Sequence, residues 1–146
     1  MLLGAVTYNV LKDWDLEKLI TELEKAGFEG VELRTQHAHK VEPSIPAAER
    51  ERVKRRFERS KVRLVSLGST AEFHSPDPAV RKKHIDDAKA FIDLAHDTGA
   101  WGVKVRPNGL PKEVSPEQTI ATIGASLREL GEYGMGRGVE IWMEVH

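Results

Sequence analysis

Segments that read as β-strands begin near residues 3, 30, 62, 102 and 139, roughly 26 to 40 residues apart, and a helical pattern fills each interval. This rhythm constrains the fold more than any other feature. Parallel strands need a long crossover, and a right-handed crossover through a helix takes up about this much chain. The first strand reads over Leu3 to Asn9. A helix follows, with Asp13 or Asp15 as its cap, Leu16, Leu19, Ile20 and Leu23 at helical spacing, and Gly27 at its end. Gly30 to Arg34 is the second strand, Val62 to Leu67 the third and Gly102 to Arg106 the fourth. Between the second and third, a mostly charged helix opens near Pro46 with Val53 and Phe57 on one side. Asp77-Pro78 starts the next helix, with proline in the first turn where its missing N–H costs nothing, and Ile85, Ala88, Ile92 and Ala95 form its apolar stripe before Gly99. Ser115-Pro116-Glu117-Gln118 is a capping box for a helix carrying Ile120, Ile123, Leu127 and Leu130. Gly134 to Gly138 then returns the chain to a fifth strand.

The expected fold class is α/β with a parallel sheet. A closed (β/α)₈ barrel takes roughly 250 residues. The 146 residues here supply four βα units and a fifth strand, with no linker or low-complexity tract. They read as a single domain over residues 1–146, the N-terminal (βα)₄-β5 portion of a TIM barrel. Half a barrel has two open sheet edges, and unpaired edges recruit other strands, so a homo-oligomer is expected.

A net charge of −1 gives no global attraction to nucleic acid or to an anionic membrane. No apolar run approaches the roughly 18 residues of a membrane span, and the N-terminus lacks the basic and apolar regions of a signal peptide. The expectation is a soluble, cytoplasmic protein. There is no cysteine, so any metal must use His, Asp or Glu.

Alternation along the strands picks out the candidate site. In the fifth, Val139, Ile141, Met143 and Val145 make one face while Glu140, Trp142, Glu144 and His146 make the other. The second strand sets Glu32 and Arg34 opposite Val31 and Leu33, and the fourth sets Lys104 and Arg106 opposite Val103 and Val105. Buried parallel strands are normally apolar on both faces. The charges therefore mark either the active-site rim that the C-terminal ends of barrel strands build or the wet face of an open sheet. Four of the six histidines, His37, His39, His74 and His146, lie in βα loops or strand ends on that rim, while His84 and His96 fall within the third helix and read as structural. Imidazole and carboxylate suit a divalent ion such as Mn, Zn, Mg or Co, but three or four ligands must converge. Only Glu144 stands as a ligand. The basic run Arg50 to Arg63 is interrupted by Glu51 and Glu58 and lies on an outer helix, which reads as a solvated face rather than a nucleic-acid surface.

Gly27-Phe28-Glu29-Gly30-Val31-Glu32-Leu33-Arg34, the helix end Ala95-His96-Asp97-Thr98-Gly99-Ala100 and the terminal Met143-Glu144-Val145-His146 together resemble the sugar phosphate isomerase/epimerase family with the xylose isomerase-like barrel. The resemblance implies a divalent-metal-dependent isomerase or epimerase acting on a sugar, sugar phosphate or polyol by proton transfer through an enediolate. It assigns Glu144 as metal ligand and catalytic carboxylate, and places Glu32 at the border of the site. Arg34, His37, His74, Lys104, Arg106 and His146 become candidate substrate-binding residues. In that family the sixth, seventh and eighth strands complete the metal shell, so the chain alone is expected to be inactive. Two other readings remain open. One is a metal-dependent phosphodiesterase like the related apurinic endonucleases, with His37 or His39 and His74 as ligands; the other is a non-catalytic, self-associating half-barrel.

Overall fold

A computed structural model describes residues 3–107 and 109–144. In it five parallel strands pair in the order β1-β2-β3-β4-β5. These are β1 (Gly4–Val6), β2 (Gly30–Arg34), β3 (Arg63–Gly68), β4 (Gly102–Val105) and β5 (Glu140–Met143). Each is joined to the next by one helix: α1 (Leu16–Lys25), α2 (Ala47–Glu58), α3 (Pro78–Thr98) and α4 (Pro116–Met135). The sequence expectation of a (βα)₄-β5 portion of a TIM barrel is met.

Local chemistry sets the helix starts. The Asp15 carboxylate accepts the Lys18 N–H at 2.8 Å, Asp77 accepts that of Ala79 at 2.8 Å behind Pro78, and Ser115 Oγ accepts that of Gln118 at 3.2 Å. Each satisfies an orphan donor of a first turn, a contribution of about 1 kcal/mol. The start of α2 has no side-chain cap. Burial of Val53 and Phe57 holds that helix to the sheet instead, because its exposed Arg52–Glu49 and Arg55–Glu51 pairs add only tenths of a kcal/mol.

One core lies between the helices and one face of the sheet. Leu19, Ile20 and Leu23 of α1 meet Val31 and Leu33 of β2, Leu64 and Leu67 of β3, Val103 and Val105 of β4, and Ala88, Ile92 and Ala95 of α3. Because these strand residues alternate with Glu32, Arg34 and Lys104, burying the apolar set turns the charges to the opposite, inner face.

The elements depart from expectation at a few places. The first strand ends at Val6, and the chain enters a short 3₁₀ turn at Asn9–Leu11, where Asn9 takes φ 55°. Asparagine tolerates that left-handed conformation, which no strand can continue through. Ile120 is 62% exposed: the buried line of α4 runs through Thr119, Ser126, Leu130 and Gly134, and Ile120 sits one position off it. A bulge separates β2 from β3, since Val31 pairs with Leu64 but Glu32 with Ser66. The extra residue, Val65, fills the space over Gly30, where a Cβ would lie 2.6 Å from Val65 Cγ2. The bulge thereby puts a hydroxyl, rather than a valine, beside Glu32.

Candidate active site on the inner face

The inner face carries a compact charged cluster drawn from three strands. The Lys104 ammonium lies 2.8 Å from Glu32 Oε1 and 3.0 Å from Glu144 Oε2, and Ser66 Oγ donates to Glu32 Oε2 at 2.9 Å. The backbone N–H of Glu144 donates to the Val105 carbonyl at 2.9 Å, which extends the β4–β5 ladder past Met143 and fixes where this side chain departs. The Lys104 and Glu32 side chains keep only 14% and 17% of their exposure, so their attraction is less screened than in a surface pair.

Gly68 makes room for this arrangement. A Cβ there would fall 2.9 Å from Arg34 Cγ and 3.0 Å from Glu32 Oε1, so the two side chains cross β3 only because that position has none. One layer down, the Trp142 ring lies over Gly102, where a Cβ would come within 2.8 Å of it, and its Nε1–H donates to Glu140 at 2.7 Å. Tryptophan thus floors the site. Sequence reading missed Ser66 and Gly68, because only the bulge shows that a serine and a glycine of β3 face Glu32 and Arg34.

The other candidates occupy distinct places. The Arg34 guanidinium stacks 4.6 Å from the centre of the Tyr8 ring. Arg106 reaches Glu72 at 3.5 Å, and the Glu72 N–H donates to His84 Nδ1 at 3.3 Å, so His84 ties α3 to the rim as a structural histidine. His96 does the same at the other end of α3 through the Arg137 carbonyl. His37 Nδ1 meets Thr7 Oγ1 at 2.9 Å, and burial, followed by the charge of Arg34, lowers its pKa. His74 lies in a separate groove between the loop after β3 and the start of α4, with Arg81 and Gln118. Among the described residues nothing joins it to the Lys104 cluster. His146 lies outside the described residues.

His39 is a structural residue of the loop after β2. Only 6% exposed, it donates from Nε2 to the Arg34 carbonyl at 2.8 Å and accepts the Val41 N–H on Nδ1 at 3.0 Å, so both ring nitrogens are used in the neutral form. Burial pushes its pKa below the ordinary 6.5, against a smaller opposing pull from the Arg34 carbonyl. Below about pH 6.5 the unfolded chain binds a proton that the folded one resists, so stability falls with falling pH, by up to about 1.4 kcal/mol per pH unit for this one group. We expect urea midpoints measured between pH 7 and pH 5 to fall, and a His39→Gln variant, less stable at pH 7, to show a flatter slope. An unchanged slope would place the acid sensitivity elsewhere.

Among the described residues no three His, Asp or Glu side chains come together in a way that could hold a metal ion. The Lys104 ammonium lies beside Glu144. The described half therefore does not form a metal centre, and the chemistry its own residues offer is that of two carboxylates sharing one fixed positive charge. No helix among the described residues is long and apolar enough to cross a membrane.

A family model described as xylose isomerase-like TIM barrel matches residues 20–146. No curated protein matches the sequence. Among solved structures, an IOLI protein with a bound zinc atom superposes with a TM-score of 0.82 at 20% identity, over 99% of this chain and 51% of its own. D-psicose 3-epimerase from Clostridium cellulolyticum H10, crystallised with D-tagatose, gives 0.79 at 17% identity, over 97% and 51%. The 3-keto-D-glucoside 4-epimerase YcjR from E. coli gives 0.74 at 14%, over 98% and 55%. The chain spans about half the length of these structures. At such identities they speak for the fold alone, and they agree with a parallel sheet of a TIM barrel. The chain belongs to the xylose isomerase-like TIM barrel family.

Proposed function

We propose that this chain is the N-terminal half of a sugar isomerase or epimerase site, acting on a sugar, sugar phosphate or polyol by proton transfer at a carbon next to a carbonyl. The observation that carries the reading is the convergence of Glu32 from the middle of β2, Lys104 from near the C-terminal end of β4 and Glu144 from just past β5, toward the end at which TIM barrels do their chemistry. Glu144 is the carboxylate that takes the proton, and Lys104 beside it stabilises the negative charge that develops on the substrate oxygens as the enediolate forms. Glu32 holds the ammonium from the far side and, through Ser66, keeps the three groups in register. The structural relatives include epimerases crystallised with D-fructose and D-tagatose, which fits a polyhydroxylated substrate.

A divalent ion belongs to this reading as a cofactor: Glu144 is one ligand of a shell that the described residues do not complete. The relative with bound zinc is consistent with that. The endonuclease reading has less behind it, because both ring nitrogens of His39 are consumed in its loop and His74 stands apart in a separate groove. The experiment that tests the function is wash-in of deuterium at the substrate carbon with candidate ketoses, for this chain and for a version extended through eight strands. Exchange by the extended protein supports the reading, and its absence across ketoses, their phosphates and their acids overturns it.

We also propose self-association. The two edge regions carry exposed apolar side chains, Leu3, Val6 and Val10 around β1 and Met143 with Met135 around β5 and α4. Sedimentation of the 146-residue chain is expected to give a dimer or larger species, and a single monomer mass over a wide concentration range would refute it.

A further inference from the structure

We propose that Arg34 is an anion-recognising residue, so that the substrate of this site carries a phosphate or carboxylate group seated at the C-terminal end of β2. The proposal rests on the sugar-site reading above and narrows its substrate class. Of the three inner-face cations, Lys104 is claimed by Glu32 and Glu144, and Arg106 by Glu72. Arg34 differs: among the described residues no carboxylate lies within ion-pairing distance of its guanidinium. Glu32, its nearest neighbour along the strand face, has one oxygen on Lys104 and the other on Ser66.

Arg34 is nevertheless firmly held. Its N–H donates to Thr7 Oγ1 at 2.9 Å, its carbonyl accepts His39 Nε2 at 2.8 Å, its stem crosses Gly68, and its guanidinium stacks on Tyr8. Among the described residues its guanidinium donates no hydrogen bond, so its N–H fork is open to a partner, and that fork matches carboxylate and phosphate geometry. A half-buried cation fixed in place without an acid is costly in the free protein and is relieved when an anion arrives. The lowered pKa of His37, owed first to burial and then to Arg34, shows that this positive charge is felt at the rim.

Every group that fixes Arg34 lies just after β1, in β2 or β3, or in the loop after β2, so the 146-residue chain is the protein to test. Isothermal titration with fructose, fructose 6-phosphate, glucuronate and inorganic phosphate should show at least one of the two anionic sugars binding about tenfold or more tighter than fructose. The tighter of them identifies phosphate or carboxylate as the recognised group. Arg34→Met should erase the preference, bringing the affinity for the anionic sugar down to that for fructose, and Arg34→Lys, which keeps the charge but not the fork, should retain only part of it. If Arg34→Met fails to fold, as judged by circular dichroism, Arg34→Lys with Tyr8→Leu carries the test, and both should lower the preference. Equal affinity for neutral and anionic sugars, no binding of any probe, or phosphate binding indifferent to these variants would overturn the proposal. Failure of the isomerase reading looks different: anionic preference without deuterium wash-in leaves Arg34 assigned, whereas wash-in with neutral and anionic sugars at equal kcat/KM removes the assignment and keeps the isomerase.

Discussion

Glu144→Gln, made in a version extended through eight strands, is expected to lower deuterium exchange at the substrate carbon by about a hundred- to ten-thousandfold, the range that a positioned general base contributes. Glutamine keeps the shape of the side chain, so the change isolates the base and the charge. The backbone of residue 144 is fixed by its hydrogen bond to Val105, and the departure of the side chain beside Lys104 should survive the substitution. Substrate affinity should therefore change much less than kcat. The same variant should weaken Mn²⁺ binding in the extended protein, while the 146-residue chain, with Glu144 but no second and third ligand among its described residues, should bind Mn²⁺ only weakly and show no exchange. Full activity in the short chain, or undiminished exchange in the extended Glu144→Gln protein, would remove Glu144 from the reaction and leave the half-barrel as a binding module.

The fold was legible because its determinants are local. Asp15, Asp77-Pro78 and Ser115-Pro116 announce helix starts through capping, and Val31, Leu33, Val103 and Val105 announce the buried face through simple alternation. Alternation also placed Glu32, Lys104 and Glu144 on one side, which was enough to name them together. It could not say that one ammonium would bridge two carboxylates, because that depends on which residues stand level in neighbouring strands. The bulge at Val65 makes the same point: no local propensity reveals it, yet it decides that Ser66 and Gly68 border the site. The surroundings of the histidines were hidden for a related reason. His37, His39 and His74 share a rim in the topology, but hydrogen bonding commits His39 to its own loop, and packing of the loop after β3 against the start of α4 sets His74 in another groove. Ile120 shows the limit of a 3.6-residue stripe, since a displacement of one position carries a side chain about 100° around the helix and into solvent.

Lys104→Met is expected to be the most destabilising substitution on the inner face. The methionine has a similar length and can pack where the lysine stem lies, so the loss is electrostatic: Glu32 and Glu144 remain close to each other with no cation between them. Breaking a buried pair by removing one partner costs about 3 to 5 kcal/mol. Here the carboxylates retain 17% and 32% exposure, so water screens part of the repulsion and about 2 to 3 kcal/mol is the reasonable figure. Removing one acid instead should cost less, since Glu32→Gln leaves Lys104 its contact with Glu144 and keeps a group that accepts from Ser66. The double variant is the decisive member of the set. With Lys104 gone, Glu32→Gln removes one of the two repelling charges, so Glu32→Gln/Lys104→Met should recover about half of what Lys104→Met loses, a coupling well above the few tenths of a kcal/mol expected for independent sites. Urea denaturation of the four proteins at neutral pH measures it. If Lys104→Met lies within about 0.5 kcal/mol of the unsubstituted chain and the two changes simply add, the ammonium is not holding the carboxylates, and the free protein does not preorganise Glu144 for proton transfer.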